Sequence, residues 1–147
     1  MIIHKEKVNL IPMKLGDWAE QQARIILENS GFKIIETNYH SRYGEIDLIA
    51  RTSTELVFVE VKARSSTKYG CANEVISISK QKKIMKTALQ YLSDKPEMST
   101  LYCRFDAICF DFYKQFAKTV QHDFSQFTYD LNWIENAFTF EQEFINL

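Results

Sequence analysis

Two neighbouring apolar segments constrain the fold of this chain more than any other feature. Residues 45–51 (EIDLIAR) and 56–62 (LVFVEVK) are rich in β-branched residues, and the short polar stretch 52–55 separates them. Segments of this kind, a few residues apart, are typical of two antiparallel strands joined by a tight turn. The sequence therefore predicts a β-hairpin at the centre of the fold.

The register of this hairpin determines which side chains meet. If the hairpin is symmetric about Ser53 and Thr54, Asp47 faces Glu60 and Glu45 faces Lys62. Side chains alternate between the two faces of a strand, so these four charged residues share one face. Ile49 and Phe58 are expected on that charged face, nearer the turn, and the opposite face is expected to be apolar, with the pairs Ile46–Val61, Leu48–Val59 and Ala50–Val57.

The predicted pairing of Asp47 with Glu60 needs a physical reason. At about 5 Å and an effective dielectric near 20, two ionised carboxylates repel by roughly 3 kcal/mol. A divalent cation between them removes the repulsion, and oxygen ligands are those that Mg²⁺ prefers. The alternative interpretation is an ordinary solvated hairpin face, on which Glu45 and Lys62 form a cross-strand ion pair.

The remaining elements are predicted from apolar periodicity and end signals. The strand 56–62, the following helix and the strand 101–112 make a β-α-β unit, which is expected to be right-handed and parallel. Arg104 and Asp106, two residues apart on the last strand, are expected to brace the sheet together. The other expected elements are a helix over 15–30, a strand over 32–39, a turn over 41–44, a helix capped by Ser77 or Ser79 and ending near Leu92, and a short helix over 133–138.

Length and composition favour a compact protein of one domain. The chain has 147 residues, 46% of them hydrophobic, and only 4 Gly and 2 Pro. Its 3 cysteines lack the spacing of a disulfide framework or a zinc ribbon. No apolar run approaches the roughly 20 residues that cross a bilayer, and the N-terminus lacks the apolar stretch of a signal peptide. We therefore expect a cytoplasmic protein without a membrane partner.

Charge is unevenly distributed along the chain. The net charge is −1, but residues 33–86 carry 10 basic and 6 acidic side chains, whereas residues 87–147 carry 4 basic and 9 acidic ones. A basic middle segment that also contains the candidate acids is suited to holding phosphates. An ordinary mixed surface accounts for the same numbers, so charge alone leaves both interpretations open.

The residues of the hairpin resemble a known nuclease motif. Asp47 followed by Glu60-Val61-Lys62 is similar to the PD-(D/E)xK pattern, and the longer run GEIDLIAR…ELVFVEVKARSS..YG over 44–70 resembles the YraN-like family of small predicted nucleases, related to archaeal Holliday junction resolvases. The resemblance covers about residues 14–112. Other matching positions are Gly16, Glu20, Asn38, Lys80, the segment 103–108 (CRFDAI) and an echo at 136–138; departures are Ala19, where the family often has Gly, and Tyr39-His40, where it has an aromatic residue followed by Arg.

This resemblance implies a fold and an activity. The fold is α/β, with a restriction-endonuclease-like core in which helices flank a mixed β-sheet in the order αβββαβ. The implied domain is single and spans 1–147, with a core over 14–112 and an aromatic, acidic extension over 113–147. The implied activity is hydrolysis of DNA phosphodiester bonds by a Mg²⁺- or Mn²⁺-dependent endonuclease. Branched DNA and a two-fold homodimer are implied by the analogy with resolvases.

The same resemblance suggests roles for individual residues. Glu20, Asp47 and Glu60 would hold one or two metal ions, and Lys62 would orient the attacking water or stabilise transition-state charge. Glu45 is either an acid behind these ligands or the partner of Lys62. Contacts with the DNA backbone are predicted for Arg64, Lys68 and Lys80, while Lys82, Lys83 and Lys86 are assigned to an ordinary solvated helix face.

Two other functions stay open at this point. The chain could be a module that binds nucleic acid on a nuclease fold without cutting it. It could also be a protein-interaction domain whose aromatic tail docks a partner, although that tail could equally cover its own sheet. The tail's aromatic residues are Phe124, Phe127, Tyr129, Trp133, Phe138, Phe140 and Phe144.

Overall fold

The fold of the chain was analysed in a computed structural model that describes residues 11–65, 76–117 and 119–141. Two α-helices and seven strands are present in these ranges, together with two short 3₁₀ turns, Pro96–Thr100 and Phe124–Gln126. The strands and helices are β1 (Met13–Lys14), α1 (Leu15–Asn29), β2 (Lys33–His40), β3 (Glu45–Arg51), β4 (Glu55–Ser65), α2 (Ile78–Asp94), β5 (Tyr102–Phe112), β6 (Gln121–His122) and β7 (Tyr129–Phe138).

Five of these strands form one mixed sheet in the order β2-β3-β4-β5-β7. Strands β4 and β5 are parallel and are connected through α2, while every other neighbouring pair in this sheet is antiparallel. The αβββαβ order and the parallel β-α-β unit are therefore confirmed. The short strands β1 and β6 pair separately.

The two helices pack on opposite faces of the sheet. The inner face of α1, with Trp18, Ala23 and Leu27, packs against Val57 and Val59 of β4. The inner face of α2, with Ile84, Met85, Ala88 and Tyr91, packs against Leu56 and Phe58, the alternate residues of the same strand. Because β4 is buried on both faces, its apolar residues are continuous between Leu56 and Val59.

Of the two serines predicted to cap the N-terminus of α2, Ser77 is the one that does so. Ser77 is the N-cap residue, and its side-chain oxygen accepts a hydrogen bond from the backbone N–H of Lys80 at 3.1 Å. This contact satisfies one of the backbone donors that a helix leaves unpaired in its first turn. It also sets the position at which the Lys80 side chain leaves the helix.

The predicted hairpin register is confirmed where the strands pair. Leu48 lies opposite Val59, and Ile49 lies opposite Phe58. One expected face assignment is wrong: Ile46 packs with Ile49 and Phe58 on the α2 side instead of joining Leu48. Strict alternation requires continuous strand pairing, and the pairing of β3 with β4 ends at Leu48.

The predicted helix over 133–138 is wrong, because these residues belong to β7. Trp133 pairs with Ile108 and Ile134 with Ala107 along the edge of β5. Asn136 has a φ of 51°, a left-handed conformation that coincides with a shift in register between Phe105 and Ala107. Hydrogen bonding to β5 thus decides the conformation of this segment, which its composition did not reveal.

The aromatic tail covers the sheet to which it belongs. Phe138 stacks on Phe105 with ring centroids 4.6 Å apart, and Trp133 meets Phe32 edge-on at 6.0 Å. Tyr129 packs in the same way against Trp18 of α1. The expected position of Phe144 lies outside the described residues.

The brace predicted between Arg104 and Asp106 is confirmed. Arg104 Nε donates to both carboxylate oxygens of Asp106, at 3.1 and 3.2 Å. Asp106 is fully buried and also accepts hydrogen bonds from Trp133 Nε1 and from the backbone N–H of Asn136. A single carboxylate therefore links β5 to β7.

Within the described ranges, neither helix is long and apolar enough to cross a bilayer.

Candidate active site

The site lies where β3 and β4 separate. Their backbone pairing ends at Leu48 and Val59, so Asp47 and Glu60 are the next residues in the same register but lie beyond the ladder. In place of a backbone bond, Asp47 Oδ2 accepts a hydrogen bond from the N–H of Val61 at 2.8 Å. The side chain of Asp47 thereby closes the gap and fixes its own carboxylate next to Glu60.

The carboxylates of Asp47 and Glu60 are in direct contact in a buried environment. Glu60 is only 4% exposed, and the two side chains form a hydrogen bond. Burial, followed by this hydrogen bond and the charge of Glu60, raises the pKa of Asp47 to about 8. The Val61 N–H and the charge of Lys80 act in the opposite direction but do not outweigh these effects. In this metal-free arrangement Asp47 holds a proton at neutral pH.

Two lysines stand beside the acid pair. Lys80 Nζ lies 2.6 Å from Glu60 Oε2 and forms an ion pair with it. Lys62 also lies near Lys80, and burial, followed by the charge of Lys80, lowers the pKa of Lys62. Burial lowers the pKa of Lys80 as well, but its contact with Glu60 outweighs that effect, so that the pKa is raised. Sequence analysis assigned Lys80 to the DNA backbone, and the structure brings it to the carboxylates.

Glu20 of α1 approaches the pair from the other face of the sheet. Its pKa is raised, first by burial and then by the charge of Asp47, while a hydrogen bond from the Asn38 side chain works against these effects. Asn38 has a φ of 50°, which Asn tolerates better than most residues. The residue of β2 that contacts Glu20 is therefore also the one with a left-handed backbone conformation.

Glu45 has a different partner from the one expected in the solvated-face interpretation. It lies opposite His40 of β2, and His40 Nδ1 is 3.7 Å from Glu45 Oε2. Within the described ranges no ion pair joins Glu45 to Lys62. The physical reason is again the early end of the β3–β4 ladder, which leaves these two residues without a shared backbone register.

The two remaining residues with predicted DNA contacts differ in what the structure shows. Arg64 follows Lys62 by two residues on β4, so both side chains leave the strand on the same face. Arg64 is half-buried and lies in register with Asp111 of β5. Lys68 lies outside the described residues.

Comparison with known proteins assigns the chain to a family. Residues 19–110 match the family described as "Uncharacterised protein family UPF0102". The chain belongs to this family. The matched range includes every candidate site residue from Glu20 to Lys80. The sequence-based expectation of a YraN-like protein is thereby confirmed for the family, and its nuclease activity stays a prediction.

Relatives with the UPF0102 name match nearly the whole chain. A UPF0102 protein of Acinetobacter baumannii (strain AYE) is 54% identical over 132 residues, covering 90% of this chain and 99% of its own length. One from Acinetobacter baylyi is 58% identical over 125 residues, with 85% and 89% covered. A more distant one from Vibrio parahaemolyticus is 36% identical over 124 residues, with 84% and 91% covered.

The donor set of this UPF0102 protein fits a hard divalent cation held largely by water and substrate. Within the described ranges, no group of three or more Asp, Glu, His or Cys side chains converges tightly enough to hold a metal ion. Asp47 and Glu60 nevertheless supply two adjoining carboxyl groups, with Lys80 beside Glu60. Mg²⁺ is commonly bound by one or two carboxylates together with waters and phosphate oxygens. Glu20 interacts electrostatically with Asp47 but does not complete a ligand group in this structure.

Proposed function

We propose that this protein is a Mg²⁺- or Mn²⁺-dependent endonuclease that hydrolyses DNA phosphodiester bonds on a restriction-endonuclease-like α/β core. The observation that carries the proposal is the buried contact between Asp47 and Glu60, with Lys62 and Lys80 beside it. Two acids and two lysines gathered where paired strands separate are the components that phosphoryl-transfer chemistry uses.

Asp47 bridges to Val61 and Glu60 pairs with Lys80, but the contact of the two acids with each other is unfavourable for the fold. Two ionised carboxylates in contact repel by about 3 kcal/mol or more at a low effective dielectric, and burial adds to that repulsion. The raised pKa of Asp47 expresses this unfavourable energy. Groups with strongly shifted pKa values that also have a specific charged partner are concentrated at functional sites. A cation bound by both carboxylates would remove the repulsion.

The acids and the lysines of the site would have different roles in the reaction. Asp47 and Glu60 would hold the cation, and Glu20 would contribute through an intervening water. When bound, a divalent cation supplies Lewis acidity toward the phosphate and neutralises the carboxylates. Lys62, which lies beside the acid pair, is suited to orient the attacking water by a hydrogen bond and to stabilise charge in the transition state. Lys80 provides positive charge next to the developing negative charge on the phosphate oxygens.

The reaction itself is a hydrolysis that needs no redox partner. A bond forms between the water oxygen and phosphorus, and the bond from phosphorus to one sugar oxygen breaks. The water loses one proton, and the departing sugar oxygen gains one. The products are a phosphate monoester end and a free hydroxyl end.

The form of the substrate rests on the family resemblance. Branched DNA and a two-fold homodimer are proposed because a four-way junction presents two symmetric points of cleavage. The partner is then DNA, with the carboxylates facing its scissile phosphate. Cytoplasmic residence remains a prediction from the sequence.

The packing of the tail weighs against the protein-interaction alternative. Phe124 is fully buried, and Tyr129, Trp133 and Phe138 are partly buried against aromatic residues of the same domain. These rings are therefore engaged within the fold and leave little apolar surface for docking a partner. A cleavage experiment is needed to distinguish the nuclease hypothesis from that of a module that binds nucleic acid without cutting it.

That experiment is a cleavage panel over single-stranded, double-stranded, flapped and four-way DNA, with Mg²⁺ or Mn²⁺. Wild type is compared with Asp47→Asn, Lys62→Gln and Glu97→Gln. Asp47→Asn preserves an oxygen that can accept from Val61 but halves the negative charge of the pair, so a loss of at least 100-fold in rate is expected. Glu97 is an exposed acid near the opposite end of the sheet, and its variant serves as the matched control.

Each outcome of the panel has a definite meaning. Metal-dependent cleavage that Asp47→Asn and Lys62→Gln abolish, and that Glu97→Gln retains, supports the proposal. Cleavage that survives Asp47→Asn refutes the assigned site. Absence of cleavage on every substrate by wild type, with DNA binding intact, favours the non-catalytic binding module.

A further inference from the structure

The turn between β2 and β3 is held firmly on α2. Ser41 Oγ lies 2.7 Å from Thr87 Oγ1, so the two hydroxyls are hydrogen-bonded, and Thr87 Oγ1 lies 2.8 Å from the carbonyl oxygen of Lys83. A Cβ added at Gly44 would lie 3.3 Å from the Cβ of Lys83, which shows how closely the turn approaches the helix. Residues 41–44 are thus a fixed part of the surface.

This turn presents an aromatic ring that lies close to two cationic side chains. The Arg42 guanidinium carbon lies 4.9 Å from the centroid of the Tyr43 ring, and Lys86 Nζ lies 5.5 Å from it. Arg42 also donates to the Tyr43 hydroxyl at 2.7 Å. In the part of the chain that the structure describes, no carboxylate lies within ion-pair distance of Arg42, Lys83 or Lys86. Among residues 11–65, 76–117 and 119–141, the positive charge of this surface therefore has no carboxylate paired with it.

A row of lysines connects the turn to the carboxylates. Lys80, Lys83 and Lys86 are three residues apart on α2; the first contacts Glu60, the second packs near Gly44 and the third contacts Tyr43. The helical rise separates Lys80 from Lys86 by about 9 Å along the axis. Tyr43 in the turn lies four residues before Asp47 of β3, so their Cα atoms are at most about 14 Å apart. These separations correspond to roughly three to four nucleotides at the 3.4 Å rise of a duplex strand.

We propose that Arg42, Tyr43, Lys83 and Lys86 form a clamp for a nucleic-acid backbone, which we call the turn clamp. It holds the strand three to four nucleotides from the phosphate at the carboxylates, and this placement rests on the proposed nuclease function. Phosphates repeat along a strand, and fixed cations on a rigid turn match such a repeat. An aromatic ring close to them suits a base or sugar of that strand.

The turn clamp gives Lys83 and Lys86 a role that the sequence did not indicate. On helix periodicity alone they belong to an ordinary solvated face. What distinguishes them is the turn that packs beside them and contributes Arg42 and Tyr43. An acidic protein segment is the competing occupant, and the experiment below distinguishes it from nucleic acid.

The test measures binding of a fluorescent 30-nucleotide DNA, single-stranded and as a duplex, by anisotropy in EDTA. The double variant Arg42→Gln/Lys86→Gln is compared with Lys33→Gln/Lys95→Gln, which removes the same charge from exposed positions elsewhere. We expect at least tenfold weaker binding for the first pair and less than twofold for the second. The slope of log affinity against log salt should become shallower by about 1.5 to 2 only for the first pair.

A second set of measurements guards against misfolding and against non-specific anion binding. Circular dichroism and thermal melting should be unchanged for both double variants, and Arg42→Lys/Lys86→Arg should restore binding to within threefold of wild type. Equal weakening by both double variants, or binding within twofold of wild type by Arg42→Gln/Lys86→Gln, overturns the turn clamp. Displacement of DNA by poly-glutamate at equal charge concentration also overturns it, in favour of an acidic protein segment.

Failure of the turn clamp can be distinguished from failure of the nuclease proposal. Asp47→Asn should leave binding in EDTA within twofold of wild type or tighten it, while abolishing cleavage. If wild type never cleaves but the double variant loses binding, the clamp stands and the nuclease fails. If Asp47-dependent cleavage is observed while the double variant binds normally, the nuclease stands and the clamp fails.

Discussion

Asp47 Oδ2 accepts a hydrogen bond from the backbone N–H of Val61, at 2.8 Å, at the first position where β3 no longer pairs with β4. This side-chain hydrogen bond stands where the backbone pairing of the two strands has ended. It holds the Asp47 carboxylate next to the side chain of Glu60, the first residue of β4 beyond the paired segment. Because Val61 sits between Glu60 and Lys62, one backbone donor ties Asp47 to both of the other charged positions. Several measurable consequences come from this arrangement.

The first prediction concerns stability and pH in the absence of metal. The pKa of Asp47 is raised from its ordinary value of 3.8 to about 8, so the folded protein keeps a proton that the unfolded chain has lost. Between about pH 4 and pH 8 the folded state binds more protons, and the free energy of unfolding falls as pH rises. Asp47→Asn, which cannot ionise, should be more stable than wild type at pH 8 by roughly 1–3 kcal/mol.

Urea unfolding in EDTA at pH 5, 6, 7 and 8 provides the measurement for this prediction. The difference between wild type and Asp47→Asn reports the titration of the coupled pair Asp47 and Glu60, because titrations remote from the pair cancel. The control is Glu97→Gln, which removes an exposed acid outside the pair and is measured at the same pH values. A wild type that is as stable as Asp47→Asn at every pH would show that Asp47 is not held protonated in the fold.

The second prediction is that divalent cations bind with release of a proton. Because Asp47 is protonated in the metal-free protein, it must ionise before both carboxylates can hold a cation. Affinity for Mn²⁺ should therefore increase between pH 6 and pH 8. Titration calorimetry in two buffers of different ionisation enthalpy should give between 0.5 and 1 proton released at pH 7, and Glu60→Gln should bind Mn²⁺ at least tenfold more weakly. Release of no proton would contradict the shared-proton description of the pair.

The third prediction separates Lys80 from the lysines of the turn clamp. Lys80 is the cation that neutralises the buried Glu60 when metal is absent. Lys80→Gln should lower the metal-free stability by roughly 1–2 kcal/mol, a value reduced by the partial exposure of Lys80. Mn²⁺ should then raise the melting temperature of Lys80→Gln by more than it raises that of wild type. Equal shifts in melting temperature with Mn²⁺ in both proteins would indicate that Lys80 and the cation do not share Glu60. The variant Lys33→Gln serves as the control.

The hairpin could be predicted in detail because its information is local. Side chains alternate with a period of two, and only one register places Val57 and Val59 on a common apolar face with Leu48. The same rule failed at Ile46, because alternation says nothing about where pairing stops. The acids Asp47 and Glu60 were correctly brought together, whereas the role of Asp47 as a bridge to Val61 required coordinates.

Contacts between distant segments account for what the sequence did not reveal. Lys80 lies twenty residues from Glu60, and no periodicity of α2 indicates which strand residue it meets. The same holds for Lys86 and Tyr43, which meet only because a hydroxyl pair and Gly44 hold the turn on the helix. The segment 133–138 is a strand because its backbone pairs with the edge of β5 that β4 does not occupy.

The last prediction tests whether the C-terminal strand is part of the same cooperative unit as the core. Asp106 is fully buried and accepts hydrogen bonds from Arg104, from the Trp133 indole and from the Asn136 backbone. Asp106→Asn removes the charge that Arg104 needs and turns one acceptor into a donor, so a loss of roughly 2–4 kcal/mol is expected. Urea unfolding should show one transition at a lower midpoint with an unchanged slope. Asp106 is in register with Val59, and its side chain lies on the α1 face, opposite to the face that carries Glu60. The folded variant should therefore retain wild-type affinity for Mn²⁺. A second, separate transition for β7, followed by Trp133 fluorescence, would show instead that the extension folds independently of the sheet that carries the site.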